Sequence, residues 1–129
     1  MDIFEAKDIT SLSNPGVVSR QLIWPASSPE ATATITEVHL EPGAVQPRHT
    51  HKHSEQSWYA LVGEGTLLLA DGAEHAFAAG DVARFAEGDV HGLRNGDSEF
   101  VYLSVTTPPI DFGKAYQSRS DKDDGVPTV

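Results

Sequence analysis

Residues 43–63 read GAVQPRHTHKHSEQSWYALVG, and the rest of the chain is best interpreted outward from them. Three of the six histidines, His49, His51 and His53, occupy alternate positions there, and a glutamate and a glutamine follow closely. In an extended strand, side chains two residues apart point to the same face of the sheet. One strand can therefore direct His49 and His51 at a common point, which is how a strand presents two imidazole ligands to one metal ion.

The composition limits what kind of protein this is. A chain of 129 residues with 39% hydrophobic residues is long enough and apolar enough for one domain with its own core. It has no cysteine, so disulfides are excluded and a bound metal must rest on nitrogen and oxygen ligands. The formal net charge of −10, with nine scattered basic residues, argues against a nucleic-acid partner. The apolar runs are too short to cross a membrane and the N-terminus does not resemble a secretory signal, so we expect a cytoplasmic protein with no membrane partner.

Turn signals divide the chain into many short strands. Asp71-Gly72, between two apolar stretches, is one of the strongest short hairpin signals. Besides the histidine-rich stretch, strands are predicted at Val17–Trp24, Ala31–Leu40, Ser57–Val62, Thr66–Ala70, Glu74–Ala78, Val82–Phe85, His91–Leu93 and Glu99–Thr106. No stretch predicts a helix of ordinary length. This spacing of short strands indicates an all-β sandwich or barrel.

The chain divides into three segments by composition and pattern. Residues 1–30 are predicted to form an N-terminal arm with the first strand, residues 31–107 the barrel core, and residues 108–129 a C-terminal extension. Within the extension, Ile110–Tyr116 is expected to pack across a barrel end. The polar residues Gln117–Val129 are expected to form a mobile tail.

Two glycine-bounded stretches give a more specific signal. The first places five residues between Gly43 and His49, one before His51, four before Gln56 and six before Gly63. This spacing resembles the first motif of the cupin superfamily, which runs Gly, five residues, His-x-His, three or four residues, Glu, six residues, Gly. The amide of Gln56 stands at the position of the motif's glutamate.

The second stretch begins sixteen residues further on. It places five residues between Gly80 and Ala86, two between Gly88 and His91, and three between His91 and Asn95. It resembles the second cupin motif, Gly, five residues, Pro-x-Gly, two residues, His, three residues, Asn. Alanine replaces the motif's proline here, a change that affects loop stiffness more than chemistry. A match to both motifs in order and spacing is far more specific than one His-x-His pair.

The resemblance implies a single-domain double-stranded β-helix, the cupin jelly-roll barrel, with a metal site in its mouth. Carried over residue by residue, the metal ligands would be His49, His51, His91 and Gln56, with Glu55 as the alternative to Gln56. The cofactor would be one divalent transition metal: zinc, iron, manganese or nickel. A homodimer is the expected assembly, because N-terminal strands of such cupins often pair across a two-fold axis.

The choice between Gln56 and Glu55 depends on the phase of the strand. If Gln56 points inward, the even-numbered residues after it line the barrel; if Glu55 does, the odd-numbered residues do. The residues lining the barrel would be Trp58, Ala60 and Val62 in the first case. In the second case they would be Ser57, Tyr59 and Leu61. Anchoring the spacing on Gly63 favours Gln56. With three imidazoles and an amide a divalent ion keeps its +2 charge and is the stronger Lewis acid, which favours non-redox chemistry.

The leading functional hypothesis is therefore an enzyme for a small-molecule substrate. A divalent metal would act as Lewis acid on a carbonyl, enol or carboxylate group, in an isomerase, cyclase, lyase or decarboxylase reaction. By sequence, the candidate proton carriers are His53, Glu55 and Tyr59, whereas His39 and His75 are expected at the surface. A non-haem metal dioxygenase is the first alternative, because three histidines with open positions also suit iron. A non-catalytic cupin that binds a sugar or another small ligand is the second.

Overall fold

A computed structural model describes residues 1–118 and 126–129 of the chain. These residues form ten strands, one short α-helix and two 3₁₀ turns, Ala6–Asp8 and Ala70–Gly72. The strands are β1 (Thr10–Asn14), β2 (Val17–Ile23), β3 (Thr34–Leu40), β4 (Val45–His49), β5 (Glu55–Val62), β6 (Glu64–Leu69), β7 (Glu74–Ala78), β8 (Val82–Phe85), β9 (His91–Asn95) and β10 (Phe100–Thr107), and the helix is α1 (Phe112–Ser118).

The strands pair into two sheets. One has six strands in the order β1-β2-β3-β10-β5-β8, and the other has four in the order β4-β9-β6-β7. Every strand pair within them is antiparallel. The prediction of an all-β double-stranded β-helix is confirmed. No helix in the described part of the chain is long and apolar enough to cross a membrane.

The core lies between the two sheets, because strands of both contribute its buried side chains. Trp58 of β5 lies against Tyr102 of β10, with ring centroids 4.3 Å apart, and meets Phe85 of β8 edge-on at 5.1 Å. From the smaller sheet, Phe77 and Leu93 join the same cluster. Each fully buried side chain of this size stabilises the fold by about 1.5–3 kcal/mol.

Strand β3 shows how the sequence pattern builds this core. Its residues TITEVHL alternate between buried and half-buried along the whole strand, as expected where one face packs inside and the other lies near solvent. Strand β1, in contrast, was not predicted. It contains one half-buried residue among exposed ones and is held at the sheet edge by its pairing with β2.

The C-terminal extension differs in part from the expectation. Residues Phe112–Ser118 form the short helix α1, whose Phe112 is buried, and the expectation that this part packs across a barrel end stays a prediction. The predicted mobile tail includes residues 119–125, which lie outside the described residues. The last part of that tail, Val126–Val129, is not a free end: Thr128 forms a parallel β-bridge with Thr50, beside the histidines. A contact between residues so far apart in sequence leaves no local pattern.

Candidate metal centre

The structure brings together three buried histidines from two neighbouring strands. His49 ends β4, His51 follows it, and His91 begins β9, where it pairs directly with His49. The three ring centroids are 4.3–5.0 Å apart. One nitrogen from each ring lies within 4.8 Å of the other two, a separation at which all three can bind one metal ion. Strand alternation predicted that His49 and His51 converge, and the fold adds His91.

Close contact between β4 and β9 depends on Gly92. A Cβ atom at this position would lie 2.6 Å from the main-chain oxygen of Gln46, which is inside van der Waals contact. Without that atom, the backbone of β4 approaches β9 and brings His49 next to His91. The His91 ring is also stacked on Phe85, with centroids 4.3 Å apart and planes 7° from parallel. The orientation of this histidine is therefore fixed by packing.

The Nδ1 atom of each of the three histidines lies 2.9 Å from a main-chain oxygen. The pairs are His49 with Pro47, His51 with Val129, and His91 with Asp89. A main-chain oxygen only accepts, so each Nδ1 carries the hydrogen and donates it. In the neutral ring, Nε2 then keeps a lone pair. Metal-binding histidines in proteins are held in the required tautomer by the same kind of bond.

Burial keeps His51 and His91 neutral. The pKa of His91 is lowered to about 2, first by burial and then by the neighbouring His49. Burial also lowers the pKa of His51, although the hydrogen bond to Val129 and the nearby Gln56 side chain act in the opposite direction. Neutral imidazole is the form that binds a metal ion.

The Gln56 side chain points into this cluster. Its Oε1 accepts a hydrogen bond of 2.7 Å from Trp58 Nε1, and its Nε2 donates one of 2.7 Å to Thr106 Oγ1. Indole N–H can only donate, so the contact with Trp58 establishes which end of the amide is oxygen. That oxygen lies 3.2 Å from Nε2 of His91.

Two features of this arrangement fit a cation. Because His91 donates through Nδ1 and is neutral, its Nε2 and the Gln56 oxygen are two acceptors facing each other at 3.2 Å. In addition, Nε2 of His51 is buried and has no hydrogen-bond partner among the described residues. Lone pairs in such positions are unfavourable alone and favourable around a metal ion. Three imidazole nitrogens and one amide oxygen suit a divalent transition metal.

The neighbouring Glu55 lies on the other face of β5. It is half-buried and pairs with Arg84 of β8, so it is not at the histidine cluster. Of the residues expected inward with Gln56, Trp58 and Ala60 are buried, but Val62 is 49% exposed, so that part of the prediction is wrong. Just before Val62, the pairing of β5 with β10 shifts by one residue. This β-bulge ends the regular alternation of inward and outward side chains along β5.

The expected proton carriers are not at the site, and this expectation is corrected. His53 is exposed in the loop before β5, Glu55 is engaged by Arg84, and Tyr59 is 45% exposed on the outer face of β5. None of the three lines the cavity described below. Closeness in sequence to the histidines did not indicate the direction of these side chains. His39 and His75 lie at the surface as predicted, half-buried and exposed respectively.

A cavity of about 330 Å³ opens beside the histidines, lined by residues of both sheets. Tyr102 of β10 lines it and donates a hydrogen bond of 2.6 Å to Gln46 Oε1. Ser104, two residues further along the same strand, also lines it, and its buried Oγ has no hydrogen-bond partner among the described residues. The sequence carried a signal for both: the alternation of β10 places Tyr102 and Ser104 on its inward face.

The chain is similar to a known domain family and to several solved structures. A family model for the cupin domain matches residues 36–106, more than half of the chain. No curated protein matches the chain significantly. Among solved structures, a sugar phosphate isomerase from a cupin superfamily of Silicibacter pomeroyi shares 26% identity, with a TM-score of 0.62 over 72% of this chain and 60% of that one.

Two further structures have similar folds. The polyketide cyclase RemF from Streptomyces resistomycificus shares 25% identity, with a TM-score of 0.69 over 83% of this chain and 79% of that one. Ectoine synthase from P. lautus shares 16% identity, with a TM-score of 0.77 over 91% of this chain and 85% of that one. The family match and the barrel with its histidine cluster agree. The chain belongs to the cupin family.

Proposed function

We propose that this cupin is a metal-dependent enzyme for a small-molecule substrate, with His49, His51, His91 and Gln56 as ligands of one divalent transition metal. The observation that carries the proposal is the pair of facing acceptors, His91 Nε2 and Gln56 Oε1, 3.2 Å apart in a buried cluster. The unpartnered Nε2 of His51 supports it independently. Zinc, iron, manganese and nickel all suit this donor set.

The donor set favours non-redox chemistry. When bound, a divalent metal with four neutral ligands keeps its full +2 charge and stabilises negative charge on a substrate carbonyl, enol or carboxylate oxygen. An isomerase, cyclase, lyase or decarboxylase reaction would use this stabilisation. The polyketide cyclase and the sugar phosphate isomerase, at 25% and 26% identity, belong to such classes.

The cavity supports a substrate held mainly by neutral polar contacts. Among the described residues that line it, Arg48 is the one lysine or arginine, and its guanidinium donates to the main-chain oxygens of Leu69 and Ala73. An anionic group of the substrate would therefore be held by the metal rather than by a cationic side chain. The unpartnered hydroxyl of Ser104, which also lines the cavity, would bind a hydroxyl or carbonyl group of the substrate.

Tyr102 is the proposed proton carrier. Once the histidines are assigned to the metal and Arg48 to main-chain oxygens, Tyr102 is the remaining titratable side chain among the described residues that line the cavity. Its hydroxyl is buried and held by Gln46 at 2.6 Å, which fixes its position relative to a substrate. A phenol in a closed site can donate a proton to a developing negative charge.

Metal content and turnover test the proposal together. The purified chain would be stripped with a chelator, reloaded separately with Zn²⁺, Mn²⁺, Fe²⁺ and Ni²⁺, and assayed on keto acids, sugar phosphates and phenolic polyketides. We expect one metal ion per chain and metal-dependent turnover in at least one of these groups. His91→Ala would lose the metal, and His75→Ala, which removes an exposed histidine, is the matched control.

Other outcomes would replace the proposal. Failure of all four metals to bind would remove it. Turnover that strictly requires Fe²⁺ and O₂ would replace it with a dioxygenase, the first alternative. Stoichiometric metal binding without turnover on the whole panel would favour a non-catalytic ligand-binding cupin.

Assembly and location remain sequence-based predictions. We propose a homodimer that pairs through the N-terminal strands, where Val18 of β2 is 40% exposed. Light scattering at micromolar concentration would give twice the 13.9 kDa chain mass for this dimer, and the single chain mass would contradict it. The cytoplasmic location is proposed from the sequence pattern and awaits fractionation.

A further inference from the structure

The three histidines are not oriented in the same way. His49 and His91 each donate through Nδ1 to the main-chain oxygen two residues earlier, at Pro47 and Asp89. These contacts are local in sequence. His51 instead donates to the main-chain oxygen of Val129, 78 residues away. One of the three rings therefore depends on a remote segment of the chain.

That remote segment, Val126–Val129, is attached at Thr50, which lies between His49 and His51 in sequence. The main-chain N–H of Thr50 donates to the oxygen of Pro127 at 3.0 Å, and the N–H of Val129 donates to the oxygen of Thr50 at 2.8 Å. The hydroxyls of Thr50 and Thr128 lie 3.2 Å apart. Together these bonds place the Val129 oxygen against His51. The same segment lines the cavity through Pro127 and Val129.

We propose that Val126–Val129, which we call the C-terminal strap, is a positioning element that selects the tautomer of His51 and directs its Nε2 into the metal centre. The proposal rests on the proposed function, because it assigns the strap to that same centre. In the buried surroundings of His51, loss of the Val129 oxygen would leave Nδ1 without this acceptor. The ring would then populate the Nε2–H tautomer, in which the nitrogen facing the cluster has no lone pair for a metal.

The strap is a separable part of the molecule. It belongs to neither of the two sheets and contacts the barrel at Thr50 and His51. Strands β4 and β9 pair with each other without it. Removal of the strap is therefore expected to leave the barrel folded and to change His51 more than His49 or His91.

The test compares the full chain with a variant lacking residues 126–129. Zn²⁺ affinity is measured by competition with a chromophoric chelator, and the histidine tautomers are read from imidazole ¹⁵N NMR of the metal-free protein. We expect the deletion to weaken Zn²⁺ binding about 10–100-fold, the usual effect of losing a partner that orients a metal ligand. We also expect His51 to change from the Nδ1–H form to a tautomer mixture, while His49 and His91 keep theirs.

A second variant guards against misfolding of the deletion. Val129→Pro removes the N–H that donates to Thr50 and keeps the rest of the chain, so it should loosen the strap and produce the same changes with smaller amplitude. Zn²⁺ affinity within two-fold of the parent and an unaltered His51 tautomer in the folded variants would overturn the proposal. If the parent itself binds no Zn²⁺, the proposed function fails, and the NMR arm still decides whether the strap sets the tautomer of His51.

Discussion

The two faces of β5 show how neighbouring residues of similar chemistry come to serve different purposes. On the inward face, Gln56 and Trp58 are buried and bonded to each other, and the Gln56 oxygen faces His91. On the outward face, Glu55 pairs with Arg84, and Tyr59 is 45% exposed. The strand phase, rather than the type of side chain, decides which polar residue reaches the histidines. We therefore expect substitutions on the inward face to affect stability, catalysis or metal binding, and their outward counterparts to have small effects.

The largest contrast is expected in stability. Trp58→Ala removes a side chain that is 1% exposed and packs on Tyr102 and Phe85, so unfolding should become easier by about 3–5 kcal/mol. Tyr59→Ala, on the outer face of the same strand, should cost about 1 kcal/mol or less. Urea unfolding of the two variants and the parent measures the difference. Equal losses would show that the two faces do not differ as described.

A second contrast compares two tyrosines. Tyr102→Phe keeps the ring in the core and removes the hydroxyl that donates to Gln46, so turnover of the substrate identified in the panel should fall about 100-fold in kcat. Tyr59→Phe, on the outer face, should leave kcat unchanged. Steady-state kinetics of both variants provides the measurement. Wild-type kcat in Tyr102→Phe would remove the assignment of Tyr102 as proton carrier.

The third contrast concerns the metal. Gln56→Ala should weaken Zn²⁺ binding about 30-fold, because it removes the oxygen that faces His91. Glu55→Ala removes the ion pair with Arg84, which is largely exposed, and should leave Zn²⁺ affinity unchanged. Chelator competition measures both. The reverse pattern, in which Glu55→Ala weakens Zn²⁺ binding and Gln56→Ala leaves it unchanged, would make Glu55 the fourth ligand.

The smallest effect is expected on the outer face of β3. The pKa of Glu37 is lowered, first by its hydrogen bond with His39 and then by that with Arg20. A lowered carboxyl pKa stabilises the folded state above the ordinary value of 4.5, and this stabilisation is lost as the pH falls through the lowered pKa. Glu37→Gln should therefore lower the free energy of unfolding by about 0.5 kcal/mol at pH 7, and this difference from the parent should shrink below pH 4.5.

Unfolding of Glu37→Gln and the parent across this pH range is the check. A difference that grows as the pH falls would contradict the sign of the effect.

Much of the site followed from local rules, and the exceptions have physical causes. Strand alternation indicated the convergence of His49 and His51, whereas the resemblance to the two cupin motifs implied His91 and Gln56, with the spacing from Gly63 favouring Gln56 over Glu55. That spacing is fixed because a Cβ at Gly63 would lie 2.4 Å from the main-chain oxygen of Glu99, and its φ is +96°. The same alternation failed at Val62, where a bulge interrupts the pairing.

Other parts of the site depend on contacts that no local pattern encodes. His53 was considered because it lies next to the histidine pair in sequence, but the chain turns there and leaves it exposed. The alternation of β10 places Ser104 on its inward face, but only the fold shows that its hydroxyl has no hydrogen-bond partner among the described residues. The hydrogen bond between His51 and Val129 joins residues that are 78 positions apart in the chain. Such long-range contacts are set by the tertiary fold.

The central claim is that the three histidines and Gln56 form a metal centre. The most direct test is a crystal structure of the Zn²⁺-loaded chain with anomalous diffraction at the zinc edge. We predict one strong peak at about 2.0–2.2 Å from Nε2 of His49, His51 and His91 and from Oε1 of Gln56. A zinc ion bound by Glu55, a peak located away from the histidines, or no peak at all after loading would contradict the account.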